Sequence, residues 1–216
     1  MPRAEAKGLG WKFAAVVVAG IFVLAWPREG AAGSSLAPLS LVKLQDRLCI
    51  STRLEGGFSQ TVTETITSGI PATFSYEIEL WHRRPMWTDK SVVAKTFKRV
   101  VTFNSLTNEF QVAQEGNASP WGRTSKDLEE VKDWVTRVDV LPLIKIADLD
   151  PDREYYVRAR AMVKTDQSHS AIKFMLFFIS PFNVKTAWKE SEPFVVEDLE
   201  ESSVSMLSSA PSMANP

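Results

Sequence analysis

The chain is poor in the residues on which most catalytic and metal-binding chemistry rests. Its 216 residues include one cysteine and two histidines. A lone thiol, Cys49, excludes an internal disulfide, so the folded part must rest on its apolar core. Cys49 could still pair between chains or ligate a metal, but a plain strand position is the expectation. His82 and His169 lie far apart with no spaced Cys or Glu partner, which argues against a metal cluster. There is no Gly-x-Ser-x-Gly elbow, no phosphate loop and no dinucleotide fingerprint, nor any internal repeat. Neither sign of charge dominates. Lys and Arg number 25 against 26 Asp and Glu, a formal net charge of −1, so no global field points to nucleic acid. No cofactor and no nucleic-acid partner are expected.

What the chain does have is concentrated in segments. Residues 1–33 read MPRAEAKGLGWKFAAVVVAGIFVLAWPREGAAG. Arg3, Lys7 and Lys12 precede an uncharged run from Phe13 to Trp26, and small residues follow, the form of an export signal. The run spans about 21 Å as a helix at ~1.5 Å per residue, short of the ~30 Å of a bilayer core. Cleavage near Ala32 is the expectation, with an uncleaved inner-membrane anchor as the alternative. Either way the remainder crosses the membrane, by the positive-inside rule, and the domain is expected to be periplasmic. No cysteine closely follows the run, so lipid attachment is not supported. Residues 197–216 are acidic, then rich in Ser, Ala and Pro, and are expected to be disordered. Residues 40–196 then form one β-rich domain, long enough to bury about 68–70% of its unfolded surface.

Within that domain, period-two alternation is the main signal. VKLQDRLCISTRL, residues 42–54, puts Val42, Leu44, Leu48, Ile50 and Leu54 on one face of an expected single strand, with Cys49 on the polar face. In the next segment Phe58, Val62 and Ile66 recur every four residues. Ser59 is placed to cap a short helix there, and Gly69 and Pro71 to end it. ATFSYEIELW alternates without a break. Residues 91–114 read as a hairpin with its turn near Asn104 to Asn108. TSKDLEEVKDWVTRV reads as a helix capped by Thr124 or Ser125, with a stripe of Leu128, Val131, Trp134, Val135 and Val138. Tyr155, Val157, Ala159, Ala161 and Val163 share one face of a strand. AIKFMLFFIS, residues 171–180, reads as a central strand. The segment with Trp188 and Phe194 reads as a closing edge strand. The expected fold is mainly β: an immunoglobulin-like antiparallel β-sandwich with two short helices. The alternative is α+β, one curved antiparallel sheet with both helices on one face.

The strings TSGIPATFSYEIELW, MWTDKSVVAKTFKRVVTFNSLTNEF, SKDLEEVKDWV and YYVRARAMVK, followed by Trp188, resemble in order and spacing the domain of unknown function 4390 family, which groups uncharacterised exported proteobacterial proteins. The resemblance runs over roughly residues 44 to 196. It rests on Gly69 before the alternating strand, Trp87 in a basic loop, Leu106-Thr107 at the hairpin turn, and the late Trp188. The chain departs from the family pattern at Met86, where a second aromatic is usual, and at His169-Ser170, where Leu-Pro is usual. The resemblance implies export and a β-rich fold. It implies no activity, because the family has none established.

The densest candidate for function is ELWHRRPMW, residues 79–87. Pro85 ends strand pairing, and Arg83, Arg84, Lys90, Lys95, Lys98 and Arg99 face only Asp89 across residues 83–99. Trp81 and Trp87 offer aromatic surfaces, while Arg83, Arg84 and Lys90 offer cations, arginine matching carboxylates or phosphates bidentately. Trp188, Lys98 and Arg99 are secondary candidates. The competing reading is a sheet edge kept soluble by its basic residues. His82 reads as a surface histidine. Glu77 and Glu79, ~7 Å apart along one strand face, could serve acid–base hydrolysis. Asp166, Ser168 and His169 have triad residue types but read as a polar turn. Asn117 to Ser119 match a glycosylation sequon that carries little weight here. The function expected is a non-catalytic envelope module that binds a protein or an anionic surface ligand through the Trp/Arg loop. The alternatives are an envelope hydrolase using paired carboxylates and a purely structural envelope protein.

Overall fold

In the computed structural model, which describes residues 33–165 and 183–199, the chain opens with short strands. β1 (Ser35–Leu36) and β2 (Ser40–Leu44) follow each other along one edge of β3 (Arg47–Glu55). The single strand expected over residues 42–54 is therefore a hairpin. Its turn holds Gln45, at φ 55°, and Asp46. This reversal pairs Val42 with Cys49 and Lys43 with Leu48, so Val42 shares a face with Cys49 rather than with Leu48. Parity cannot be carried across a turn of this kind. Cys49 is buried at 2% exposure, not out among the charges.

Helix α1 (Gln60–Thr67) forms as its punctuation suggests. The Ser59 hydroxyl accepts from the Val62 N–H at 3.3 Å, satisfying one of the free donors at a helix start. Val62 and Ile66 are fully buried, and the Phe58 ring stacks on Phe74 at 5.1 Å. At the other end the Gly69 N–H donates to the Ile66 carbonyl and the Ile70 N–H to the Thr65 carbonyl. These paired bonds require Gly69 to sit at φ 88°, a conformation glycine adopts without cost.

The next strands are β4 (Ala72–His82), β5 (Lys90–Asn104), β6 (Glu109–Gly116) and the short β7 (Trp121–Ser125). Helix α2 (Leu128–Thr136) leads directly into β8 (Arg137–Lys145), and β9 (Tyr155–Thr165) follows. β10 (Asn183–Lys185) and β11 (Lys189–Glu190) both pair with β9, so the expected edge strand is present in two pieces. The large sheet runs β10-β9-β4-β5-β6-β7, and the small one joins β1, β2 and β8 to β3. Every pairing is antiparallel. α1 carries the chain from the small sheet to the large one, and α2 carries it back.

One continuous apolar cluster fills the space between the sheets. Phe74, Tyr76, Ile78 and Leu80 of β4 meet Leu48, Ile50 and Leu54 of β3 there, along with Val131 and Val135 of α2 and Val157 to Val163 of β9. Each large apolar side chain so buried contributes about 1.5–3 kcal/mol. The antiparallel β-sandwich with two short helices is thus the fold, and the single-sheet alternative is set aside by the separate β1-β3-β2/β8 sheet.

Details of the second half differ from expectation. β7 and β8 were not foreseen. α2 is capped by Asp127, whose Oδ1 accepts from the Glu129 N–H at 2.8 Å, not by Thr124 or Ser125; Ser125 instead accepts from the Asp127 N–H. Val138 is buried from β8 rather than from the helix. The chain still packs on the core at Val196 and Leu199, just inside the acidic tail. The N-terminal segment to Ala32, the strand expected at 171–180, the polar turn at 166–169 and the tail beyond Leu199 lie outside the described residues.

An alanine at residue 69 would meet no atom within 4 Å, so its cost isolates backbone strain. Gly69→Ala should lower the unfolding free energy by about 1 kcal/mol, near the αL penalty of 1–2 kcal/mol for a residue with a Cβ. Gly69→Asn should cost less. Urea denaturation followed by circular dichroism measures both, and an alanine variant as stable as the parent would contradict the cap geometry.

Candidate functional site

The segment singled out by composition divides into three environments. β4 ends by pairing His82 with Lys90 at the start of β5, and residues 83–89 cap this hairpin. Asp89 anchors the loop: its Oδ1 accepts from the Arg84 N–H at 2.9 Å and its Oδ2 from the Tyr156 hydroxyl at 3.1 Å. Arg84 turns back onto the loop and donates from Nη2 to the Thr88 carbonyl, while its Nε is buried without a partner. The Arg83 N–H donates to the Glu154 carbonyl at 2.9 Å, and its side chain lies 3.6 Å from the Glu154 carboxylate. Lys90 is exposed at the base. The apex carries Met86 and Trp87, exposed at 90% and 78%. The backbone is pinned, then, while two large apolar side chains stand in solvent.

Trp81 belongs elsewhere. It lies on the outer face of the large sheet, where the Arg158 guanidinium sits 4.3 Å from its ring centroid and 4.5 Å from that of Trp188. Arg160 covers Trp188 at 4.2 Å. Cross-strand register builds this stack, since Glu79 pairs with Arg158 and Glu77 with Arg160. Arg158 donates to Glu79 Oε2 at 2.8 and 2.7 Å, Arg160 donates to Glu77 Oε2, and the Trp81 indole N–H donates to Glu79 at 2.8 Å. The two carboxylates are thus held in an ion-pair ladder rather than standing as an open acid–base pair. Arg158 and Arg160 were not foreseen as members of this group.

Lys98 and Arg99 part company as strand neighbours must. Lys98 is outward, 3.0 Å from Glu115. Arg99 lies on the core face between Phe97 and Val101 and is 7% exposed, which corrects its placement in a basic surface cluster. Its Nη1 donates to the carbonyls of Trp134 at 2.9 Å and Arg137 at 2.6 Å, and its Nε donates to Gln114 Oε1 at 2.7 Å. Helix α2 ends there, and a cation is favoured at a helix C-terminus. The guanidinium also lies over the rings of Tyr76, Phe97 and Trp121 at 5.2–5.5 Å. Burial pushes its pKa below the usual value.

Beside Arg99 a cleft of about 240 Å³ is lined by Trp121, Arg123, Asp133, Trp134, Arg137 and Asp139. Nothing in the linear sequence joined these residues. The one available signal was the Trp121-x-Arg123 alternation on β7.

Other candidates have ordinary surroundings. His82 is half-buried with its ring 5.7 Å from Tyr155, and burial, then the charges of Arg153 and Arg84, hold it below 6.5. Burial pushes the Cys49 thiol up. Among the described residues no group of His, Cys, Asp and Glu could hold a metal ion. Asn117 lies just past β6, and its N–H donates to the Thr96 carbonyl of β5.

The family described as a domain of unknown function, DUF4390, matches residues 31–192. No curated protein and no solved structure matches the chain.

Two outcomes follow from this geometry. Arg99→Met leaves the Trp134 and Arg137 carbonyls and Gln114 without their donor, so unfolding free energy should drop by about 3 kcal/mol or more, whereas Lys98→Ala should change it by no more than ~0.5 kcal/mol. Urea titration distinguishes them, and equal losses would refute the assignment. For the loop, the Arg84 N–H, with help from the Tyr156 hydroxyl and against burial, holds Asp89 below its ordinary value of 3.8. A depressed carboxylate stabilises the fold fully above its unfolded-state value and loses that contribution as pH falls through the depressed one. Protection of the Arg84 amide from hydrogen exchange should therefore be constant from about pH 5 to 7. In Asp89→Ala it should fall about tenfold, and an amide equally protected in both would exclude the anchor.

Proposed function

The chain belongs to the DUF4390 family of domains of unknown function, and we propose that it is a non-catalytic exported module that binds a partner through the apex of the β4–β5 hairpin. The observation that carries this reading is the contrast between a fixed loop backbone and the solvent-standing Met86 and Trp87. Loops positioned by a rigid scaffold are common binding elements. Trp is enriched at interface hot spots, and a pre-ordered backbone lowers the entropic cost of association. Lys90, exposed at the base of the loop, and Arg83, which also meets Glu154 at 3.6 Å, flank the apex on the side offered to a protein surface or an anionic surface ligand. Arg84 braces the loop through the Thr88 carbonyl, and Trp81 is engaged on the sheet face by Glu79 and Arg158, so neither faces a partner at the apex.

The placement outside the cytoplasm rests on the basic, apolar and small-residue succession of residues 1–33. Among the described residues no helix is long and apolar enough to cross a membrane. A signal peptide or an inner-membrane anchor in that segment would present the domain in the periplasm. The absence of any phosphate, dinucleotide or nucleophile-elbow motif supports a binding role rather than a catalytic one.

A photo-crosslinking residue at position 87 tests this in envelope extract, with the same residue at position 106 as control. Leu106 is 94% exposed on the next hairpin tip, so it matches the apex in accessibility. A discrete adduct from position 87 that is absent from position 106, and weakened at least about tenfold by Met86→Ser, is the expected result. Equal, diffuse labelling from both tips would return the loop to the role of a strand connection.

A further inference from the structure

The cleft beside α2 is lined by more cations than anions. Its lining carries three guanidinium groups, Arg99, Arg123 and Arg137, and two carboxylates, Asp133 and Asp139. Both carboxylates are already engaged. Asp133 meets Arg53 at 2.6 Å, and Asp139 meets the Arg137 Nε at 2.8 Å. Among the described residues Arg99 and Arg123 make no ion pair, though the Asp139 charge acts on Arg99 through space. The Arg123 guanidinium lies over Trp121 at 5.2 Å and Trp134 at 5.4 Å and makes no hydrogen bond or ion pair among the described residues. Arg99 approaches the same Trp121 ring at 5.5 Å. It uses Nε and Nη1 within the protein, and among the described residues its Nη2 makes no hydrogen bond.

Two cations thus converge on one indole, one of them more than nine-tenths buried, with donors still free. Like charges so placed repel, and an arriving anion would relieve both. The backbone adds a second observation. Register slips between Ile50 and Thr52 as β3 pairs with β8, and Val140 within this bulge sits at φ 44°. A β-branched residue in the left-handed region is strained by about 1–3 kcal/mol. Such bulges re-aim neighbouring side chains, and the neighbour here is Asp139, whose carboxylate is engaged by Arg137 and reaches Arg99 only through space.

We propose that this cleft is a binding site for a single carboxylate on a short apolar stem, held by Arg123 and the free edge of Arg99 against the indoles of Trp121 and Trp134. The planar guanidinium forks set beside two indole faces suit a planar carboxylate on an apolar stem, and phosphate is kept as the competing anion in the test. The volume, about 240 Å³, is below the ~300–1,000 Å³ of pockets that enclose whole drug-sized ligands. It suits the end of a glutamate side chain or a small free carboxylic acid, two sources of one chemistry. The site is separate from the hairpin apex, so its fate is independent of the function proposed above.

The test is a titration of the full chain followed through the indole N–H resonances of Trp121 and Trp134. The probes are sodium propionate, N-acetyl-Gly-Glu-Gly-amide, inorganic phosphate, and sodium chloride at matched ionic strength. Propionate should shift both resonances saturably while chloride does not, with phosphate weaker than propionate. Arg123→Gln should weaken propionate by at least about tenfold, the scale of a charge-assisted pair, and Arg123→Lys, which keeps the charge but loses the fork, by a smaller factor. Tighter binding of the peptide than of propionate would assign the site to a partner's acidic side chain; equal affinity would assign it to a free carboxylic acid. The proposal is overturned if chloride reproduces the shifts, or if both Arg123 variants, folded by their amide spectra, titrate as the parent does.

Discussion

A buried guanidinium organises the sandwich. Arg99 stands on the core face of a long strand, where an apolar side chain would be usual, and its hydrogen bonds go to the end of α2 and the first residue of β8. The Tyr76 hydroxyl reaches the same helix end, donating to the Val135 carbonyl. Carbonyls at a helix C-terminus have no partner within the helix, and a buried one left unbonded costs about 1–3 kcal/mol. The large sheet therefore supplies the donors that let α2 stop and turn into the small sheet. Gln114 completes the arrangement by accepting from Arg99 and donating to the Ser119 carbonyl at 2.7 Å, which fixes the connection from β6 to β7 as well.

How much of this was legible depends on whether a residue's partners are local. β4 could be read because one face meets the core and the other water, and α1 because its cap, stripe and glycine lie within a dozen positions. β8 was hidden by Pro142 and by the bulge at Val140, both of which break alternation. β7 is short, contains Gly122 and lies at an edge, so neither propensity nor period marks it. Arg99 was misplaced because its residue type outweighed its parity. Phe97, Arg99, Val101 and Phe103 alternate with Lys98 and Val100, and that pattern alone put it inside.

The candidate site was legible in part. Pro85 and the strand pattern located the loop, and Trp87 does stand free at its apex. The companions of Trp81 were not readable, because Arg158 and Arg160 lie some eighty positions away and meet it only through β4–β9 register. For the same reason Trp121, Arg123 and Trp134 looked like unrelated residues. The two arginine–aromatic groups differ in one respect: Arg158 and Arg160 form ion pairs with Glu79 and Glu77, while among the described residues Arg99 and Arg123 form none.

The burial of Cys49 gives the chain a property beyond packing. As the single thiol in the sequence, held inside at 2% exposure, it is out of reach of oxidants and of other thiols for as long as the sandwich stays shut. A newly made, still unfolded chain, by contrast, carries that thiol in the open. The interval before β2, β3 and β8 close around it is then the period in which a mixed disulfide could trap the chain unfolded, so folding speed rather than redox chemistry protects it. The same arrangement makes the thiol a built-in clock: the rate at which an alkylating reagent consumes it reports how often the small sheet opens, with no label added.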